Sequence, residues 1–357
     1  MDNLLEKRVL EKIKDALGRS TEILSFTPLA GDASSRRYYR AALAGGVSPR
    51  SLVIMELGET NLPLSSEELA VFKEPPRELP FLSLHRFLGR LGVRIPALYG
   101  HWVEDGIIVL EDLGDLSLWD WVQELSPAQT SVWYQRAIDQ LLLLQILGTR
   151  ARDPSCIAFQ QRFDFRLYMW EFDHFMEYGL QNNPHKKPTR SERELLTGSF
   201  VRIARQLENQ PPSLTHRDYH SWNLMIHNGE VVVIDFQDAL LAPMQYDLAS
   251  LLNDRETDRI VDRDMEPHLI DYYLRRRQEM GEAGVDRDEF LEVYLLSAIQ
   301  RDLKVVGRFE YLDRIKGKPG YKKYLPPTLR RLKRNLLRLP YLEKILPVFS
   351  AFFEEMR

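Results

Sequence analysis

His216-Arg217-Asp218-Tyr219-His220-Ser221-Trp222-Asn223, followed twelve residues after Asn223 by Asp235-Phe236-Gln237, is the stretch that decides the fold. Between the two lies Leu224–Phe236, an apolar, β-branched run broken only at its centre by Asn228-Gly229. Asn-Gly suits a two-residue hairpin turn, because both central residues of a type I′ turn need positive φ. Such a turn pairs positions whose numbers total 457, which sets Asn223 opposite Ile234 and next to Asp235. One tight reversal thus gathers an amide oxygen and a carboxylate, with the Asp218 carboxylate five residues upstream. Hard oxygen donors of this kind are what Mg²⁺ takes while keeping several waters.

Upstream, Leu4–Leu17 carries apolar residues at helical spacing and stops at Gly18. Three strand-forming segments follow, Glu22–Leu29, Arg37–Leu43 and Leu52–Leu57, then a helix over Glu78–Leu91 and two strands, Leu98–Val103 and Ile107–Glu111, around Glu104-Asp105-Gly106. After Gly114 helical patterns dominate: Leu118–Leu125, Gln129–Leu147, Phe163–Tyr178, Ser191–Glu208, Asp247–Leu252, Pro267–Arg277, Asp288–Val306, Thr328–Leu337 and Tyr341–Phe353. The expectation is an α+β chain with a small antiparallel β-sheet lobe, residues 1–112, and a large helical lobe, residues 113–357. The cleft between such lobes is the expected ligand site.

Composition narrows the function classes. The 357 residues are 44% hydrophobic and 28% charged, too apolar for disorder and long enough for two packed lobes. A net charge of -4 argues against a basic nucleic-acid binder. The single cysteine, Cys156, excludes a disulfide framework and fits a reducing compartment. Met1–Arg8 runs straight into charged helical pattern without an apolar signal region, and no run approaches a membrane span, so a cytoplasmic protein is expected.

His216–Asn223 fits H-R-D-x-x-x-x-N, the phosphoryl-transfer catalytic loop, and Asp235-Phe236-Gln237 is a variant of D-F-G. Further stretches extend the likeness: Gly31-Asp32-Ala33-Ser34-Ser35-Arg36-Arg37-Tyr38-Tyr39-Arg40, Val109-Leu110-Glu111-Asp112-Leu113-Gly114, Tyr246-Asp247-Leu248-Ala249 and Arg301-Asp302-Leu303-Lys304-Val305-Val306-Gly307. Over nearly its whole length the chain resembles the aminoglycoside phosphotransferase and choline kinase branch of the protein-kinase-like fold. Within that branch it is most similar to bacterial kinases that phosphorylate N-acetylmuramate and N-acetylglucosamine at the anomeric hydroxyl, in cell-wall sugar recycling. The resemblance implies ATP as co-substrate and Mg²⁺ on Asn223 and Asp235. It implies Asp218 as the base or orienting carboxylate, and Asp247 as a brace for the loop; Asp247 also reads as an N-cap of the following helix. Nucleotide contacts are expected from Ser34, Ser35, Arg36 and Arg37, and from the backbone of Glu111, Asp112 and Leu113. Successive strand residues face opposite ways, so one of Arg36 and Arg37 should reach the nucleotide. His220, Trp222, Arg301 and Lys304 are candidate acceptor contacts.

One departure stands out. The third strand has Met55 where such kinases carry the lysine that meets the α- and β-phosphates, which leaves Glu78 without that partner. Either Arg36 or Arg37 supplies the charge, or the chain is a nucleotide-binding pseudokinase. Between Asp235 and Tyr246 there is no room for an activation loop, so a small-molecule acceptor is expected rather than a peptide. Aminoglycoside, choline or homoserine acceptors are the alternatives to a sugar. Residues 314–338 hold ten Lys/Arg and no acid, which reads as a solvated face or a contact for an anionic partner.

Overall fold

The computed structural model describes residues 3–18, 21–29, 36–45, 48–58, 78–183 and 186–357. Helix α1 (Asn3–Leu17) leads into β1 (Ile23–Pro28), β2 (Arg37–Leu43) and β3 (Ser51–Glu56). Helix α2 (Pro80–Arg90), β4 (Leu98–Trp102) and β5 (Ile107–Glu111) follow. The strands form one antiparallel sheet in the order β1-β2-β3-β5-β4. Alternation along the strands gives the sheet two apolar faces. Leu52, Ile54, Ile107 and Val109 pack under α1, whose Leu5, Val9 and Ile13 are buried at about 1.5–3 kcal/mol each. Met55, Ile108 and Leu110 point the other way and join the main core with Phe81, Leu84 and Phe87 of α2.

The helical part begins with α3 (Leu118–Val122), capped by Ser117, whose Oγ accepts from Asp120 N–H. The next helix, α4, runs through Pro127–Leu142, a π-helical turn at Leu143–Leu147 and Gly148–Ala151. Then come α5 (Phe165–His174), with a π-turn at Phe175–Gln181, and α6 (Arg190–Glu208). Four short strands follow, β6 (Pro212–Thr215), β7 (Leu224–His227), β8 (Glu230–Val233) and β9 (Leu240–Pro243). The chain ends in α7 (Gln245–Leu252), α8 (Met265–Glu279), α9 (Arg287–Arg314), α10 (Leu325–Leu336) and α11 (Leu346–Ser350). Among the described residues no helix is long and apolar enough to cross a membrane.

Three differences from the sequence reading have physical causes. Helix α9 continues eight residues beyond Val306, through Gly307. A Cβ on Gly307 would lie 2.8 Å from the Phe175 Cα, so this glycine serves a close helix approach rather than a stop. Tyr341–Phe353 is not one helix: a 3₁₀ segment, Pro340–Ile345, precedes α11, whose first turn holds Pro347. Asp247 is inside α7 rather than at its N-cap, because the helix starts at Gln245.

Candidate active site

The catalytic-loop stretch lies between β6 and β7. β6 pairs antiparallel with β9, Thr215 opposite Leu240, so the loop and the hairpin leave and re-enter one small ladder. The hairpin has the expected register: Leu224 faces Val233, with Asn228 at φ 51° and Gly229 at φ 79° in the turn. Ile234 N–H donates to the Asn223 carbonyl at 3.1 Å. Asn223 Nδ2 then donates to the Asp218 carbonyl at 3.0 Å and to Asp235 Oδ2 at 3.4 Å. The Asn223 side chain therefore ties the Asp218 backbone to the Asp235 carboxylate. Asp235 is exposed at φ 61°, a left-handed conformation unfavourable for a non-glycine residue, and Gln237 Nε2 steadies its Oδ1 at 2.7 Å.

The loop backbone is held from below. Asp247, fully buried, accepts from His216 N–H at 2.6 Å and Arg217 N–H at 2.9 Å. His216 reaches the Ile234 carbonyl through Nε2 at 2.8 Å and accepts Asp218 N–H at Nδ1 at 3.3 Å, tying loop to hairpin. Arg217, at φ 81°, turns inward to Glu171, with Nη2 3.0 Å from Oε1. Burial raises the Asp247 carboxyl to about 6, against the neighbouring His216 and the two backbone donors.

Asp218 sits under a roof of cations. Arg301 Nη1 and Nη2 lie 3.4 and 3.5 Å from its Oδ1, and Lys304 Nζ lies at 3.8 Å. Burial opposes its ionisation, but Lys304, Arg301 and Arg217 outweigh burial and hold the carboxyl well below the usual range. Arg301 is buried; it also donates to the Arg217 carbonyl and to Asp254 Oδ2 at 3.2 Å. Lys304 is shared with Glu171 at 3.5 Å. These two residues thus orient Asp218 from behind. Glu171 and Asp254 were not singled out in the sequence. The available signal was Glu171 itself, an acid on the buried stripe of α5 with Leu167, Tyr168 and Phe172.

On the sheet side the two arginines part company. Arg36 lies beside Tyr38, hydrogen-bonds to it, and contributes charge at Asp238, next to Asp235. Burial raises the Asp238 carboxyl to about 6. Arg37 points the other way into a 2.8 Å pair with Glu56, with its side chain 69% exposed, and does not join the site. Met55 is buried directly across from Tyr38, so the third strand gives the cleft no charge. Glu78 pairs with Arg86 at 2.7 Å, on the surface. Ser34 and Ser35 fall outside the described residues.

At the linker, the Glu111 carboxylate is taken by Arg94 at 2.7 Å and Asp112 by Arg40 at 2.8 Å. Leu113 accepts a hydrogen bond from His227 Nδ1 on its carbonyl at 3.1 Å. Both carboxylates brace the linker, leaving only backbone groups there to meet a base. Trp222 stacks on Trp119 with centroids 4.4 Å apart, and buried His220 meets its edge at 5.9 Å. Burial lowers His220 to about 4, so it is neutral near pH 7. Of the basic run, Arg331 is wholly buried against Asp302 at 2.6 Å, Arg334 reaches Asn253 at 3.0 Å, and Arg314 pairs with Glu310 at 2.8 Å.

The donor set fits Mg²⁺. Asp235 offers an exposed carboxylate, and the half-buried Asn223 amide faces it through Nδ2 at 3.4 Å, so a flipped amide would set a second hard oxygen beside it. Among the described residues no group of three or more His, Cys, Asp or Glu is arranged to hold a metal alone. Two protein oxygens completed by phosphate and water suit this ion.

A family model described as "Phosphotransferase enzyme family" matches residues 25–289. An N-acetylmuramate/N-acetylglucosamine kinase from Pseudomonas aeruginosa is 28% identical over 325 residues, covering 89% of this chain and 86% of its own length. The protein of the same name from Neisseria meningitidis is 28% identical over 330 residues, with 91% and 89% covered. Among solved structures, choline kinase LicA from Streptococcus pneumoniae superposes with a TM-score of 0.60 at 17% identity, covering 94% of this chain and 99% of that one.

Proposed function

The chain belongs to the phosphotransferase enzyme family, and from there we propose that it moves the terminal phosphoryl group of ATP to the anomeric hydroxyl of N-acetylmuramate or N-acetylglucosamine. The observation that carries this reading is the Asn223 side chain, which links the Asp218 backbone to the exposed Asp235 carboxylate. Asp218 accepts the hydrogen bond of the acceptor O–H and aims its lone pair at the γ-phosphorus. The new O–P bond forms as the bond to ADP breaks. A carboxylate held well below its usual range is a weak base, so it orients first and receives the proton late, as a loose transition state allows. An anomeric hydroxyl, more acidic than a simple alcohol, suits such a base. Asn223 and Asp235 would hold Mg²⁺, which when bound supplies positive charge to the phosphate oxygens. Arg36 supplies cationic charge on the face where Met55 supplies none. Use of ATP suits action in the cytoplasm.

The test is Mg-ATP with a panel of amino sugars, with phosphorus NMR of the product. Asp218→Ala should lower turnover by about 10²-fold or more while the Kd for ATP stays within about threefold. Equal turnover in that variant removes Asp218 from the mechanism. Transfer to no amino sugar overturns the acceptor.

A further inference from the structure

One cation beside Trp222 donates a hydrogen bond to no described residue. Arg255, in the connection from α7 to α8, makes a single loose ion pair, Nε to Asp254 Oδ1 at 3.6 Å, and its guanidinium donates to no described residue. It is nevertheless held in place. Its backbone is left-handed, at φ 41°. Its carbonyl accepts from Arg331 Nη1 at 2.7 Å, and Arg331 is itself anchored on Asp302. The guanidinium lies 4.8 Å from the Trp222 ring centre and 5.5 Å from that of Tyr324. Two aromatic faces therefore orient it while satisfying none of its N–H donors.

Trp222 belongs to the same loop as Asp218. Asp254, the neighbour of Arg255, shares Arg301 with Asp218. A guanidinium has five donors in a planar fork that matches a carboxylate bidentately. One that is 17% exposed, fixed by a strained backbone and held among the described residues by one loose ion pair at 3.6 Å, is prepared for an acceptor from outside. Lys304 and Arg301 cannot serve, since both are turned onto Asp218 and other internal acids.

We propose that Arg255 determines acceptor specificity by binding a carboxylate carried on the sugar, so that it favours N-acetylmuramate over the neutral N-acetylglucosamine. This rests on the amino-sugar reading above. It assigns the charge that distinguishes the two sugars to one residue.

Two measurements test it. In steady-state kinetics on both sugars, Arg255→Met should lower the ratio of kcat/KM for N-acetylmuramate over N-acetylglucosamine by at least about 30-fold, chiefly through KM. Arg255→Lys, which keeps the charge without the fork, should recover part of that ratio. An unchanged ratio overturns the proposal, whether the two activities fall together or not at all. The second measurement needs no turnover: D-lactate, the bare carboxylate fragment, is titrated against tryptophan fluorescence. A saturable change in the wild type that Arg255→Met abolishes supports the proposal; no change in the wild type, or the same change in the variant, overturns it. If neither sugar is phosphorylated the acceptor reading fails, and the lactate titration still decides whether Arg255 binds carboxylates.

Discussion

Replacing Asp247 by asparagine separates the support of the catalytic loop from the stability of the protein. Wild-type Asp247 accepts the His216 and Arg217 N–H groups at 2.6 and 2.9 Å from a fully buried position. Asparagine keeps one acceptor and turns its NH₂ toward the other donor. The lost hydrogen bond to a charged group costs about 1.5–3 kcal/mol. Against this, the carboxyl titrates at about 6 in the folded chain instead of 3.8, so its ionised form costs roughly 3 kcal/mol at pH 7. Asparagine removes that cost, and the two effects nearly cancel. The sign follows from proton uptake. Between about pH 4 and pH 6 the folded state binds more protons than the unfolded one. Wild-type stability therefore carries a contribution that is complete below pH 4 and is lost as pH rises through 6. Asp247→Asn lacks it and should gain on the wild type by about 3 kcal/mol from pH 4 to pH 7.5, roughly 4 °C in Tm for a chain of this length. Turnover should still drop about 10²-fold, because the misaligned loop carries Asp218. Scanning calorimetry at the two pH values, with kcat at pH 7.5, is the assay. A Tm difference that does not move with pH refutes the burial argument, and undiminished kcat refutes the bracing argument.

Three further outcomes are expected. Arg36→Ala should raise the KM for ATP about tenfold while Arg37→Ala stays within about twofold, since an exposed pair such as Arg37–Glu56 contributes little; equal effects would show that strand alternation misassigns them. His220, lowered to about 4 by burial, titrates below its unfolded 6.5, so its contribution is complete above pH 6.5 and is lost as pH falls through 4; a His220→Gln variant should lose about 3 kcal/mol of that slope in denaturant melts. Arg331→Met strands buried Asp302 and should cost about 3–5 kcal/mol, whereas exposed Arg330→Met should stay within about 0.5 kcal/mol, both read from urea midpoints.

Local signals made much of this protein legible. Asn228-Gly229 dictates a turn, the turn dictates the register, and the register sets Asn223 beside Asp235 with no help from the rest of the chain. Period-two alternation likewise separates Ile54 from Met55 and Arg37 from its neighbours, and glycine and capping residues bound most helices. The β6–β9 ladder escapes such a reading: its strands are four residues each, 24 residues apart, too short to show a period.

The sequence by itself determined which groups could do the chemistry, because one hairpin turn and one loop bring them together over short chain distances. Only the tertiary structure decided how they are held and charged. Arg301 and Lys304 read as acceptor contacts and Arg331 as part of a solvated basic face, yet packing of α9 and α10 turns them onto Asp218, Glu171 and Asp302. Arg255, a loop residue without a motif, is raised between two aromatic rings. The physical reason is that a charge is defined by its burial and its partners. When those partners come from helices tens of residues away, no local pattern encodes them.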